Sequence, residues 1–395
     1  MEIRHKVRTL TRGPRHHFFG YYSVPVWNPA ETHLLCIESE FQDHLPLPGE
    51  RGVIGLADAQ SGEFTPVTAT DAWNLQQGTW LYWNPAAPGR EIVHNDRVDG
   101  RLVTVVHDIE SGERRLLPRP INVLSRDGRF ALCLDYGRMG RLRKVVGYQG
   151  AEDPYPDDPH PEKDGIFRLD MRSGEVTLLY SILEVWEQLV ERHPELRERH
   201  MWFNHTTINP SGTRFYFLAR AWAGGVENTH LQSALYTGAM DGGDLRCLID
   251  FGGFVSHLDW RDDESMAVTC TTTRPQERAT RQHFMLADRE GAELRPMGGG
   301  ELDFDGHMTF SPDGRWMVTD RNVGAALEKL LLLVRVEDEA VQVLHRFDMQ
   351  QRTWLSGDLR CDLHPRWNRS GDQVCVDAIA ADGTRQLHVV DLEME

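Results

Sequence analysis

One phrase recurs along this chain and limits what it can fold into. In Asp305–Val318, DGHMTFSPDGRWMV, a short strand runs into a tight turn carried by Pro312-Asp313-Gly314 and leaves as a second strand. Phe203–Leu218 (FNHTTINPSGTRFYFL), Ser256–Val268 (SHLDWRDDESMAV) and Cys361–Val376 (CDLHPRWNRSGDQVCV) repeat it. Each copy places a histidine near its start: His205, His257, His307 and His364, spaced 52, 50 and 57 residues apart. Strand–turn–strand at a period of roughly 40–50 residues is the signature of β-propeller blades.

Three earlier phrases, VPVWNPAETHLLCIES, TWLYWNPAAPGREIVHND and INVLSRDGRFALCLD, bring the count of inner-strand units to seven. Ser-Gly hairpins such as VIGLADAQSGEF, TVVHDIESGERR and FRLDMRSGEVT fit the outer strands. The last unit stops at LHVVDLEME without an outer strand, whereas Arg4–Thr11 alternates like one. The expectation is an all-β, seven-bladed propeller over residues 1–395, a single domain whose open edge is closed by the N-terminal strand. Two stretches break the rhythm within about 146–199, assigned to the junction between the third and fourth blades. Val146–Lys163 is Pro/Asp-rich and reads as a loop, and Ile182–Arg199 reads as a short amphipathic helix broken near Pro194.

A formal charge of -17 argues against nucleic acid, which demands a basic footprint. No apolar run approaches the ~20 residues of a membrane span. The opening MEIRHKVRTLTRG lacks the apolar core of a signal peptide. The six cysteines (Cys36, Cys133, Cys247, Cys270, Cys361, Cys375) are scattered and read as reduced core thiols of a cytoplasmic protein.

In a propeller the innermost strand of each blade starts beside the central channel, so equivalent positions form a ring. The four histidines occupy that position in the last four blades, where the earlier blades offer Val24, Trp80 and Ile121. Converging imidazoles suit a borderline divalent cation such as Mn, Zn, Fe or Ni. Asp362, two residues before His364, falls on the same strand face and could add an oxygen ligand. The competing reading is a ring of packed histidines bonded to neighbouring blades. Where second strands end, arginines recur: Arg97, Arg138, Arg220, Arg274 and Arg321. Guanidinium groups grip carboxylates bidentately, so these candidate substrate-binding residues suggest an anionic ligand; pairing with surplus Asp or Glu is the alternative. His17, Tyr21 and Tyr22 open the first blade and could bind a sugar ring, or pack as aromatic core. There is no GxSxG elbow, P-loop, GxGxxG after a strand, or HExxH.

These residues resemble those of oligogalacturonate lyases, seven-bladed propellers of the bacterial cytoplasm that cleave short pectin fragments. The closest stretches are GHMTFSPDGRWMVTD and DLHPRWNRSGDQVCVDAIAADGTRQLHVVDL. The resemblance implies a manganese ion held by His307 and His364, with Asp362 where the family has a further histidine. The family's glutamine ligand falls on Leu359 or Arg360, a departure. His257 matches a histidine near the family's active centre, and His205 one in the preceding blade. The catalytic arginine falls near Ala234, where Arg220 is the candidate substitute. The implied reaction is β-elimination from a uronic-acid oligosaccharide, in which a cation or arginine must neutralise the C6 carboxylate before a base can take the C5 proton. His257 or His205 completes the metal site or, unbound, serves as that base. A propeller hydrolase or isomerase acting on another anionic sugar, and a non-catalytic propeller that binds a partner, are the other two readings.

Overall fold

The structure is a computed structural model and describes residues 3–225, 227, 229–271 and 280–394. Seven four-stranded sheets follow one another along the chain. The first six run from His16 to Thr70, Tyr82 to Leu117, Ile121 to Ser181, Trp202 to Gly253, Val255 to Pro296 and Met308 to Asp348. The seventh joins Arg366–Trp367, Gln373–Ile379 and Arg385–Glu393 to the N-terminal strand Arg4–Thr9. That strand pairs antiparallel with Arg385–Glu393, from Arg4 opposite Glu393 to Thr9 opposite His388. The all-β propeller and its closure by the first strand are as the repeat implies. The chain divides into two compact units, Met1–Leu116 with Gly306–Glu395, and Leu117–Asp305.

Local chemistry explains why the repeats become blades. In the hairpin ADAQSGE, the Asp58 carboxylate accepts from the backbone N–H groups of Gln60 and Ser61, and Gly62 takes a φ of 74°. Asp108 and Asp170 repeat this with Glu110 and Ser111, and with Arg172 and Ser173. These Asx-type turns satisfy the donors a two-residue loop would strand. On the inner hairpin Ser311 Oγ donates to Asp313 and accepts from Trp316 N–H, closing the SPDG turn. Tryptophans then tie blade to blade within each unit. Trp83 Nε1 donates to Val26 O, Trp260 Nε1 to Thr207 O and Trp367 Nε1 to Thr309 O.

The helical interruption falls between the third and fourth blades as expected, and the loop does not. The third blade's outer strands are Gly165–Asp170 and Val176–Ser181, so the 134–164 excursion lies inside that blade. It holds helix α1 (Tyr136–Leu142) and a 3-10 turn, Lys144–Val146; helix α2 (Ile182–Leu189) and the 3-10 turn Pro194–Glu198 bridge to the fourth blade. Asp135 stops the second strand early: it caps α1 by accepting from Arg138 N–H at 2.8 Å. No helix among the described residues is long and apolar enough to cross a membrane. All six cysteines are free, and five are buried.

Candidate functional site

The innermost strands are not regular. In three blades the chain bulges at the same place, with left-handed backbone at Trp80 (φ 52°), His205 (φ 53°) and His364 (φ 44°). Such strain persists only where surrounding structure enforces it, and it re-aims a side chain. In the seventh blade the bulge follows Leu363, whose carbonyl accepts from Asp377 N–H at 2.9 Å. It turns the His364 ring to within 4.3 Å, centroid to centroid and nearly perpendicular, of His307 in the sixth blade.

His307, Asp362 and His364 form a group whose candidate ligand atoms all lie within 4.8 Å of one another, and all three are buried. His307 Nδ1 contacts both oxygens of Asp320 at 3.0 Å, and Asp320 also accepts from His307 N–H (2.8 Å) and Leu363 N–H (3.2 Å). One carboxylate therefore fixes both histidine-bearing segments. With Nδ1 committed to Asp320, Nε2 lies across the ring from that bond, the orientation carboxylate–histidine–metal arrangements use. Two imidazoles and a carboxylate match the donor preferences of borderline divalent ions, so the residues fit such an ion. Burial would raise the Asp320 carboxyl, but the charge and hydrogen bond of His307 and the charge of Lys329 outweigh it, leaving it below the usual range. For Asp362 the same opposition, from Lys329, Arg360 and both histidines, leaves it well below that range. Both stay ionised at neutral pH.

Tyr21 and Tyr22 wall this group. Tyr21 lies 5.1 Å from the His364 ring and Tyr22 5.3 Å from the His307 ring, centroid to centroid. Their approach depends on Gly20, at φ 123°, where a Cβ would sit 2.7 Å from the backbone of Gln77. Trp80 lies tilted against Tyr21 at 5.3 Å, centroid to centroid, and is 1% exposed, and its indole N–H has no hydrogen-bond partner.

In the other unit, His257 Nδ1 lies 2.9 Å from Asp305 Oδ1, which also accepts from Thr269 Oγ1 at 2.9 Å. Thr269 Oγ1 in turn accepts from His257 N–H, and Arg281 reaches Asp305 Oδ2 at 3.3 Å. His205 packs edge-on at 5.7 Å from His257. Among the described residues the ion-sized group does not include His257, which the sequence offered as a further ligand; its Nδ1 goes to Asp305 instead.

Other expectations are corrected. His17 is bonded through both ring nitrogens, to Gln386 at 3.0 Å and Glu38 at 3.2 Å, so it serves packing and not a sugar. Arg138 is not at a strand end but on α1, 1% exposed, donating to the carbonyls of Met201, Tyr155, Asp158 and Pro159. Its guanidinium pins the excursion in place of a substrate. Arg220 cannot stand in for an arginine at Ala234: Ala219 pairs with Ala234 and Arg220 with Ser233, so Arg220 projects from the opposite face. Its Nη2 donates to Val255 O at 2.8 Å. Arg97 and Arg321 sit half-buried on second strands, as expected. Arg274 lies outside the described residues. Sequence reasoning passed over Asp320, Asp305 and Lys329. The first was legible as the acid preceding Arg321, on the face that arginine does not share.

No family model matches this sequence, and no curated protein matches it. Solved structures do. The chain is similar to an oligogalacturonate lyase from Vibrio parahaemolyticus at 15% identity and a TM-score of 0.65, covering 99% of this chain and 97% of that one. It is similar, at 14% identity and a TM-score of 0.67, with the same coverage, to an oligogalacturonate lyase in complex with manganese. A prolyl endopeptidase aligns at 8% identity and a TM-score of 0.55, over 94% of this chain but 46% of that one. The resemblance to oligogalacturonate lyases read from the repeats holds for the fold, along nearly the whole length of both chains.

Proposed function

We propose that this protein is a metal-dependent lyase that performs β-elimination on short uronic-acid-containing oligosaccharides. The observation that carries the proposal is the buried His307–Asp362–His364 group with Asp320 bracing it. These three residues would hold a divalent ion, manganese first and zinc, iron or nickel as alternatives; when bound it would neutralise the C6 carboxylate of the sugar. Tyr21 and Tyr22 would flank the ion on the apolar side of that group. Arg97 and Arg321 remain the candidates for further carboxylates of an anionic oligosaccharide. The manganese complex of a similar fold supports the choice of ion.

Elimination needs a base for the C5 proton, and His257 is the candidate on its own chemistry. Its Nδ1 lies 2.9 Å from Asp305 Oδ1, a carboxylate–imidazole contact that orients a histidine base. The C5–H electrons form the C4–C5 double bond, the C4–O bond breaks, and the departing oxygen gains a proton. The product absorbs in the ultraviolet.

The test is elemental analysis of purified protein beside His307→Ala and His364→Ala, followed by an ultraviolet assay on uronic-acid oligosaccharides. About one equivalent of metal, lost in both variants, with absorbance rising on the substrate, is the expected result. Protein that stays metal-free after reconstitution would overturn the proposal and leave a binding propeller as the better reading.

A further inference from the structure

A buried lysine reaches the ion-sized group. Lys329 lies on the third strand of the sixth blade, Glu328–Arg335, in the sequence EKLLLLVR. It is 3% exposed, and a lysine so placed gains nothing from the apolar run that follows it. Its ammonium pairs with Asp362 Oδ1, while Arg360 Nε donates to Asp362 Oδ2 at 2.6 Å. Both oxygens of the group's carboxylate are thus held by cations within the chain. Asp320 and Asp362 supply two negative charges, and Lys329 and Arg360 already bring two positive ones to the cluster.

Adding a divalent ion there would place it beside an ammonium that shares its ligand. In a site screened from water such repulsion is severe, because charges a few ångströms apart interact several-fold more strongly than in bulk solvent. A carboxylate also gives up donor strength to each cation it already serves. Lys329 is therefore positioned to compete for Asp362, and to hold the triad together in the ion's absence.

We propose that Lys329 is a built-in competitor cation: the divalent ion binds by displacing its ammonium from Asp362, and this lysine sets how tightly and how selectively the site takes metal. The proposal rests on the metal reading above and specifies its regulation. It predicts that only ions able to outbid an ammonium enter, so the site discriminates against weakly bound ions such as magnesium.

The experiment is a Mn²⁺ titration of the full-length wild type and Lys329→Met, by calorimetry, with melting temperature recorded with and without Mn²⁺. The expected result is binding about tenfold or more tighter in the variant. Without metal the variant melts lower, because Asp362 loses a buried partner, and it gains more from Mn²⁺ than the wild type does. Lys329→Gln, which removes the charge but keeps a donor, should behave alike and guards against misfolding of the methionine variant. Binding by the variants alone would overturn the displacement and the metal-dependent reaction together, since the wild type would then exclude the ion. Equal or weaker binding in both variants would overturn it while leaving the metal reading intact. No binding in any of the three proteins would overturn both.

Discussion

Which ring nitrogen of His307 faces Asp320 decides what the other can do. The Asp320 carboxylate takes Nδ1 and two backbone N–H groups, so Asp320→Asn should weaken Mn²⁺ binding by 10–100-fold, read by calorimetry, with the fold intact by circular dichroism. His257→Asn should lower kcat by about 10²–10⁴-fold while metal content is unchanged; lost metal with retained turnover would remove His257 from the base role. The residues that sequence made legible are those repeating at blade spacing: His307, His364 and, by alternation, Asp362. Lys329 was not, because a lysine beside four leucines carries no repeat and reads as a strand end. Asp320 was hidden by its neighbour: Arg321 marks one face of the strand, and the bond to His307 forms on the other. Arg220 misled for the same reason of parity, one residue away from the face it needed.

At the scale of strands and turns, the legible features were those fixed within a dozen residues. The Asp-x-x-Ser-Gly hairpins place their own donors, so they declared themselves in the sequence and in Asp58, Asp108 and Asp170. The excursion in the third blade was misplaced because nothing local shows where a strand resumes. That depends on Arg138, whose bonds reach carbonyls up to 63 residues away. Arg138→Met should therefore cost about 3–5 kcal/mol in a denaturation midpoint, far more than substitution of an exposed arginine. Trp367→Phe replaces the indole by a smaller ring in the core and removes the donor to Thr309 O, and should cost about 2–4 kcal/mol.

For the whole molecule, stability should depend on pH through two histidines that the site does not use. Burial pushes His94 and His388 down to about 4 from 6.5. Their folded forms stay neutral while the unfolded chain takes up protons, so the contribution is complete above pH 6.5 and shrinks as pH falls toward 4, by about 1.4 kcal/mol per unit for each. The urea midpoint should drop between pH 7 and pH 5, before ordinary carboxylates titrate, and His388→Gln should flatten the slope. The depressed carboxylates Asp320 and Asp362 act lower: their contribution is present at neutral pH and fades only as pH falls below the usual carboxylate range. The seven-fold count and the closing strand were readable because a ring of repeats leaves one unpaired end at each terminus. That closure has a consequence in time. The unit built from Met1–Leu116 and Gly306–Glu395 is assembled from segments that emerge from the ribosome 190 residues apart. At typical synthesis speeds roughly 10–40 s separate them, and the strand Arg4–Thr9 waits roughly 20–75 s for its partner Arg385–Glu393, while its neighbours stand unsealed. The chain thus spends its youth as an open sheet, and its need for a chaperone should be greatest before its last blade is made.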